Sequence, residues 1–339
     1  MIEFPSDPEA YLLTIPAMGS VIDVRWIPAE RPAEKPEENK APDDPSKIGE
    51  CLQADIDRWV DVMSDYQQDS QVNRLCLDAQ DGHWHSPSSE LWRVLMLCDS
   101  WHRWSQGAFD ASLGALTRLR RSKKIATSEQ WEQASRSSGW EYLEWDRHNC
   151  RVRFKRPGIR LDFGAIGKGF VVDRLGERLR ELGIDRYSVN ASGNMVFGES
   201  PKPAAQGWPV AIGLVDQPDR SLCSVRLAKC GIATSGDLHQ RYRDRPGVDS
   251  SDGKLVSSHI LDPAKQAGLT GSVMATVITD SATSADAFAT ACCVHAARGT
   301  LRSWLMRLES HDDGYEVDFE IWVQSIEAVG QTPVVIHWA

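Results

Sequence analysis

The sequence has no excess of basic charge. Its 339 residues carry 38 Lys and Arg against 48 Asp and Glu, giving a net charge of −10 with histidine neutral. That balance excludes non-specific nucleic-acid binding and docking on anionic lipid, both of which need a basic footprint. A phosphate ligand would have to be met locally, by backbone N–H groups, a metal or a few placed cations. No C-x-x-C pair occurs among the eight cysteines, at 51, 76, 98, 150, 223, 230, 292 and 293. The spacings give no zinc knuckle, and a chain this long has no need of disulfide staples, so reduced thiols are expected. The first twenty residues, MIEFPSDPEAYLLTIPAMGS, have neither a basic n-region nor an apolar h-region. No signal peptide, lipobox or transmembrane segment is legible, and a cytoplasmic protein is expected. There is no internal repeat.

What is present is ordinary for a globular chain. Hydrophobic residues make up 41% and charged residues 25%, which excludes disorder or fibre and allows a large single domain or two joined lobes. From Gly19 to Ile27, Val21, Asp23 and Arg25 alternate against Ile22, Val24 and Trp26, the period of a strand. Residues 28–47, PAERPAEKPEENKAPDDPSK, hold too little apolar surface for a core and read as a solvated loop insertion. From Ile48 to Tyr66 the pattern is helical, with Leu52, Ile56, Trp59, Val60 and Met63 on one face. A second helix is expected from Ser88 to Trp104, capped by Ser88 or Ser89, and a shorter one over Glu129 to Arg136. Gly167 to Leu182 reads as a third long helix, and Ser284 to His295 as a compact helix of small residues. Strands are expected as a pair at 142–145 and 151–154, and at 187–191, 208–212, 222–227, 273–278, 319–323 and 333–338. Without regular βαβ alternation, the mixture favours an α+β fold over a doubly wound sheet.

Five constellations can carry chemistry. Arg160 to Asp173, RLDFGAIGKGFVVD, runs from an apolar start through Gly164, Gly167 and Gly169 into a helix. Glycines admit a ligand close to the backbone, and a helix N-terminus favours anions. Lys168 can meet a phosphate or a flavin oxygen; a tight strand-to-helix turn is the plainer alternative. In Ala285 to Thr290, ADAFAT, Asp286 and Thr290 sit at i and i+4 on one helical face. A carboxylate with a hydroxyl is hard-oxygen ligation, suited to Mg²⁺ rather than zinc; a solvent-facing Asp beside a Thr bonded to its own helix is the alternative. Ser258 to Pro263, SHILDP, offers His259 as a base near neutral pH, or as a buried, satisfied histidine. Gly231 to Asp237, GIATSGD, reads as a turn with two hydroxyls facing a ligand, or as a polar loop. Gly107 to Ser112, GAFDAS, is a turn whose Asp110 bonds backbone or ligand.

Taken in order, these blocks closely resemble the ApbE family of FAD:protein FMN transferases. To them are added Met18-Gly19-Ser20, Ser64-Asp65-Tyr66 and Ser192-Gly193-Asn194, so the resemblance spans roughly residues 17 to 295. It implies an α+β fold of mixed and antiparallel sheets flanked by helices, with a flavin cleft between two lobes. It also implies an N-terminal segment over residues 1–16, then one domain over 17–339 with 28–47 as an insertion. As FAD contacts it implies Met18, Tyr66, Phe109, Asp110, Ala111, Asp162, Lys168 and Ile260. As Mg²⁺ ligands it implies the Ala165 carbonyl, the Asp286 carboxylate and the Thr290 hydroxyl. His259 matches the residue that activates the acceptor hydroxyl. The implied reaction moves FMN from FAD, as substrate, onto a Thr or Ser hydroxyl of a target flavoprotein and releases AMP. The partners are thus FAD and a flavoprotein acceptor, with no nucleic acid. Hydrolysis of FAD to FMN and AMP, or FAD binding without catalysis, are the competing readings. The chain departs from the family where GGD becomes Ser192-Gly193-Asn194, where the Thr-Gly after HIxDP becomes Ala264-Lys265-Gln266-Ala267-Gly268, and where Cys76, with Asn73 nearby, takes the place of an asparagine.

Overall fold

The structure, a computed structural model, describes residues 10–28, 44–122, 126–202, 204–217, 220–236, 241–243, 256–310, 318–326 and 334–339. Most of the expected 28–47 loop, and Asp237 of the GIATSGD run, lie outside the described residues.

The first hairpin is β1 (Tyr11–Ala17) and β2 (Ser20–Trp26), antiparallel from Tyr11 opposite Trp26 to Ala17 opposite Ser20. Its turn, Met18–Gly19, has φ of 51° and 71°, the primed geometry that matches strand twist. Helix α1 (Pro45–Met63) starts where Asp44 accepts from the Ser46 N–H and where Pro45 needs no donor. Ser70 and Ser88 cap α2 (Gln71–Asp78) and α3 (Ser89–Trp104) in the same way. Then come α4 (Gly114–Arg121) and α5 (Ser128–Arg136), the latter opened by a capping box between Thr127 and Gln130. Strands β3 (Leu143–Asp146) and β4 (Arg151–Phe154) pair antiparallel, as the alternation predicts.

Helix α6 (Gly167–Glu181) leads into β5 (Tyr187–Ala191) and β6 (Asn194–Phe197). The hairpin β7 (Trp208–Gly213) and β8 (Ser221–Leu227) precedes β9 (Gly231–Gly236). Short pairs follow: β10 (Arg241–Arg243) with β11 (Val256–Ser258), and β12 (Leu261–Asp262) with β13 (Ala267–Gly268). Strand β14 (Ser272–Thr279), α7 (Ala282–Arg298), α8 (Leu301–Glu309), β15 (Glu320–Ile326) and β16 (Val334–Trp338) complete the order.

One sheet organises the molecule, in the order β1-β2-β5-β6-β9-β14-β15-β16 with every neighbour antiparallel. The fold is therefore the expected α+β type. Strand alternation divides its two faces. Met195, Phe197 and Ile232 join a small core under the β7–β8 hairpin, while Val196 and Ala233 join the main core with α6 and α7. The tryptophans of α3 pack as the sequence pattern implies: Trp101 is buried and meets Trp104 edge-on.

One expectation is overturned. Gly231 to Gly236 is not a turn but the central strand β9. Its small residues serve close packing, because a Cβ on Gly231 would lie 2.1 Å from the Ala282 nitrogen and 2.2 Å from the Ser281 carbonyl carbon. Gly231→Ala should therefore lower unfolding free energy by about 1–3 kcal/mol, the usual cost of overpacking. Chemical denaturation checks this, and an unchanged midpoint would mean that α7 does not rest on β9.

Candidate active site

The start of α6 and the start of α7 meet across a glycine. A Cβ on Gly169 would lie 2.2 Å from the Ala282 carbonyl oxygen and 2.8 Å from the Asp286 Cβ, so only glycine permits this approach. The contact puts Asp286, buried at 4% exposure, against the opening turn of α6. The Gly169 N–H donates to Asp286 Oδ2 at 3.0 Å. With the Asn194 amide oriented to satisfy both neighbours, its nitrogen donates to Asp286 Oδ1 at 3.1 Å and its oxygen accepts from Lys168 Nζ at 3.3 Å. Burial pushes the Asp286 carboxyl up to about 6, although the Lys168 charge and the Gly169 N–H pull the other way. Thr290, one turn on, exchanges a hydrogen bond with Ser235 of β9 at 3.0 Å. Ala165 stands in the turn just before α6.

Asp173, the last residue of the sequence block, has a role that spacing does not reveal. Its carboxylate reaches across to α7 and accepts from the Ala282 and Thr283 N–H groups at 2.9 and 2.8 Å. It satisfies donors that the helix itself leaves open and so fixes the end of α7 that carries Asp286.

Around the turn at Asp162 a second group gathers. Asp162 Oδ1 accepts from the Gly164 N–H at 2.8 Å, and Oδ2 accepts from Thr117 Oγ1 at 2.7 Å and Arg121 Nη2 at 2.9 Å. The Asp162 N–H donates to the Ala111 carbonyl at 2.8 Å, so the GAFDAS turn and the LDFGAIGKG block are joined through their backbones. Asp110 Oδ1 accepts from the Ser112 N–H and hydroxyl at 2.7 and 2.6 Å. Burial raises its pKa. Phe109 is buried beside it. The S-x-Y segment is held by Asn73, whose Nδ2 donates to the carbonyls of Ser64, Asp65 and Gln67 at 3.2, 3.2 and 2.6 Å. Asn73 thus ties this loop, while the Cys76 sulfur accepts from the Leu161 N–H at 3.3 Å. Tyr66 itself is 74% exposed, and the Arg121 guanidinium lies 4.7 Å over its ring. Met18, at the hairpin turn, points towards the same region: its methyl would lie 4.0 Å from a Cβ on Gly167.

His259 is half-buried in the bend after β11, and Ile260 beside it is buried. Asp262, three residues on, is not its partner. The Arg298 guanidinium takes that carboxylate, its Nη2 lying 2.6 Å from Oδ1. Burial raises the pKa of Asp262, but Arg298 together with the Lys265 and Ala264 N–H groups holds it below the usual range. From α4, Arg120 Nη2 donates to the Ser257 hydroxyl at 2.6 Å and the Ser258 carbonyl at 2.8 Å, which seats the strand leading to His259.

Two cavities, of about 410 and 350 Å³, flank α6 around Arg174 and Glu177 and hold none of the predicted site residues. Most of the predicted site residues lie instead in the side-chain cluster above. Sequence reasoning missed its cations on α4, Arg118, Arg120 and Arg121, and the pinning role of Asn73. Among the described residues no group of three or more His, Cys, Asp and Glu side chains converges as a metal site. One buried carboxylate with a hydroxyl nonetheless fits Mg²⁺, which binds through one or two carboxylates and completes its shell with water and substrate phosphate. No helix among the described residues is long and apolar enough to cross a membrane.

Comparison with known proteins bears on this arrangement. An FAD:protein FMN transferase of Chlamydia muridarum is 28% identical over 65% of this chain and 67% of its own. A protein of the same name from Salmonella typhimurium is 28% identical over 84% and 78%. The flavin transferase ApbE from Vibrio cholerae superposes with a TM-score of 0.74 at 22% identity, covering 97% of both chains, and so shares the fold. The profile of the ApbE family matches residues 18–315, and the chain belongs to that family.

Proposed function

We propose that this protein is an FAD:protein FMN transferase that moves FMN from FAD to a Thr or Ser hydroxyl of a flavoprotein. The observation that carries the proposal is the buried Asp286, set against Gly169, Asn194 and Lys168 at the start of α6. Relatives bearing the transferase name support it.

FAD binds, on this reading, with its ring near Tyr66 and Met18 and its nucleotide near Asp162 and the 109–111 turn. Lys168, at the helix N-terminus, meets a pyrophosphate or flavin oxygen with fixed positive charge. The Ala165 carbonyl, Asp286 and Thr290 would hold Mg²⁺, which neutralises pyrophosphate oxygens and charge on departing AMP when bound. His259 takes the proton of the acceptor hydroxyl as its oxygen bonds to the FMN-side phosphorus. The bond to the AMP oxygen breaks, and AMP leaves with the electron pair. Where no acceptor is present, water in the hydroxyl's place gives FMN and AMP.

Incubation with FAD and Mg²⁺, with and without a threonine-bearing flavoprotein domain, tests this. Transfer predicts AMP release that rises with the acceptor. Equal FAD consumption without acceptor would make the protein a hydrolase, and intact FAD in both mixtures would leave only a binding protein.

A further inference from the structure

The flavin contacts predicted from sequence fall in separate segments: Tyr66 follows α1, Asp162 precedes α6, and no strand pairing links the two directly. Arg121, the last residue of α4, touches both. Its Nη1 pairs with Asp65 Oδ2, its Nη2 donates to Asp162 Oδ2 at 2.9 Å, and its guanidinium plane lies 4.7 Å over the Tyr66 ring. The three groups are sequestered, with the Arg121 side chain 28% exposed and the Asp65 and Asp162 side chains 9% and 8%.

We propose that Arg121 is the positioning residue of the flavin-nucleotide site, joining the Tyr66 loop to the Asp162 turn in one fixed geometry. The inference rests on the reading of that site as the FAD site.

The physical argument has three parts. Asp65 and Asp162 are like charges close enough to act on each other, and the Arg121 guanidinium paired with both offsets their repulsion. Asp65 also feels this neighbour: burial first, then Asp162, raises its pKa, with Arg121 opposing. A planar fork can serve two carboxylates and an aromatic face at once; an ammonium cannot. Asp162 in turn holds the Gly164 N–H, so the position of the turn containing Ala165 follows from this junction. The guanidinium also covers one face of Tyr66, so a planar ligand stacks from the opposite side. Neighbouring cations on α4 are committed elsewhere: Arg118 Nη2 donates to the Asp65 carbonyl and to Asn73 Oδ1, each at 2.6 Å, and Arg120 reaches the 257–258 strand. The Arg118 charge also favours ionised Asp65, but its hydrogen bonds go to the Asp65 carbonyl and Asn73, so it does not bridge the two carboxylates.

The test compares wild type, Arg121→Ala and Arg121→Lys by FAD affinity, KM and kcat for AMP release, and thermal unfolding. Wild type is measured first: if it neither binds nor turns over FAD, the functional reading fails, whatever Arg121 does. If wild type is active, Arg121→Ala should raise the FAD dissociation constant and KM at least about tenfold, as charge-assisted bonds to two carboxylates are lost. kcat should change less, because the Asp286 and Thr290 side chains are held by Gly169 and Ser235 rather than by Arg121. Arg121→Lys, which keeps the charge without the fork, should fall between. A merely structural role would lower the unfolding temperature of both variants while the folded fraction kept wild-type KM, and that result would overturn the proposal. Should Arg121→Ala not fold, Arg121→Lys alone decides: a KM within twofold of wild type overturns it.

Discussion

Asp286→Ala should reduce Mg²⁺-dependent AMP release from FAD by about 10²–10³-fold, the scale of losing one charge-stabilising group at a reacting centre. Asp286 is buried, accepts from Gly169 N–H at 3.0 Å and neighbours Lys168 through Asn194. Removing the carboxylate takes away the only acidic side chain assigned to the metal. Lys168 and the groups assigned to the flavin are left in place, so ground-state FAD affinity should change far less than kcat. The measurement is AMP production by variant and wild type across a Mg²⁺ titration, with folding checked by circular dichroism. Activity within threefold of wild type at saturating Mg²⁺ would remove Asp286 from the chemistry.

His259→Ala should lower FMN transfer about 10²–10⁴-fold, the usual contribution of a positioned general base. The structure places His259 in a bend, next to strand residues that Arg120 braces, and leaves Asp262 committed to Arg298. If His259 is the base, the loss should appear in kcat with FAD affinity intact. The measurement is the rate of FMN transfer to the acceptor by variant and wild type at saturating FAD. If the variant transfers FMN at the wild-type rate, the hydroxyl proton goes elsewhere.

Much of the fold was legible because its elements begin with local chemistry. Ser88 before a hydrophobic stripe marks α3, glycines running into an apolar stretch mark α6, and the 142–154 alternation marks a hairpin that forms as read. The failures have physical causes. β9 was misread because Gly, Ala, Thr and Ser are turn-like residues, whereas here they are the residues small enough for α7 to approach; tertiary packing overrode local preference. β1 escaped notice because Tyr11 and Leu12 are exposed on an edge and Pro16 interrupts the run. α4 reads GALTRLRR, a basic stretch that looks like a solvated face. Its meaning lies in partners 41 to 138 residues away in sequence, Asp65, Asp162, Ser257 and Ser258 among them. Long-range pairing of this kind has no local signature. The same holds for Asp173, whose spacing after Lys168 is visible but whose bonds to α7 are not.

Of the candidate site, the sequence supplied the chemical groups and the resemblance supplied their roles; the structure added the scaffold that brings them together. Gly169 lets Asp286 in, Asn194 joins it to Lys168, Asn73 pins the Tyr66 loop, and Ala111 bonds Asp162. The substitution of Asn194 for the family aspartate keeps an oxygen for Lys168 while offering an amide N–H to Asp286, so one residue serves both partners.

The most direct test of the account is to mix the purified protein with FAD, Mg²⁺ and a threonine-bearing flavoprotein domain, then look for flavin fluorescence on the denatured acceptor band. The account predicts a fluorescent acceptor and matching AMP, both abolished by EDTA and by replacing the acceptor threonine with alanine. A dark acceptor accompanied by free FMN, or FAD left whole, would contradict it.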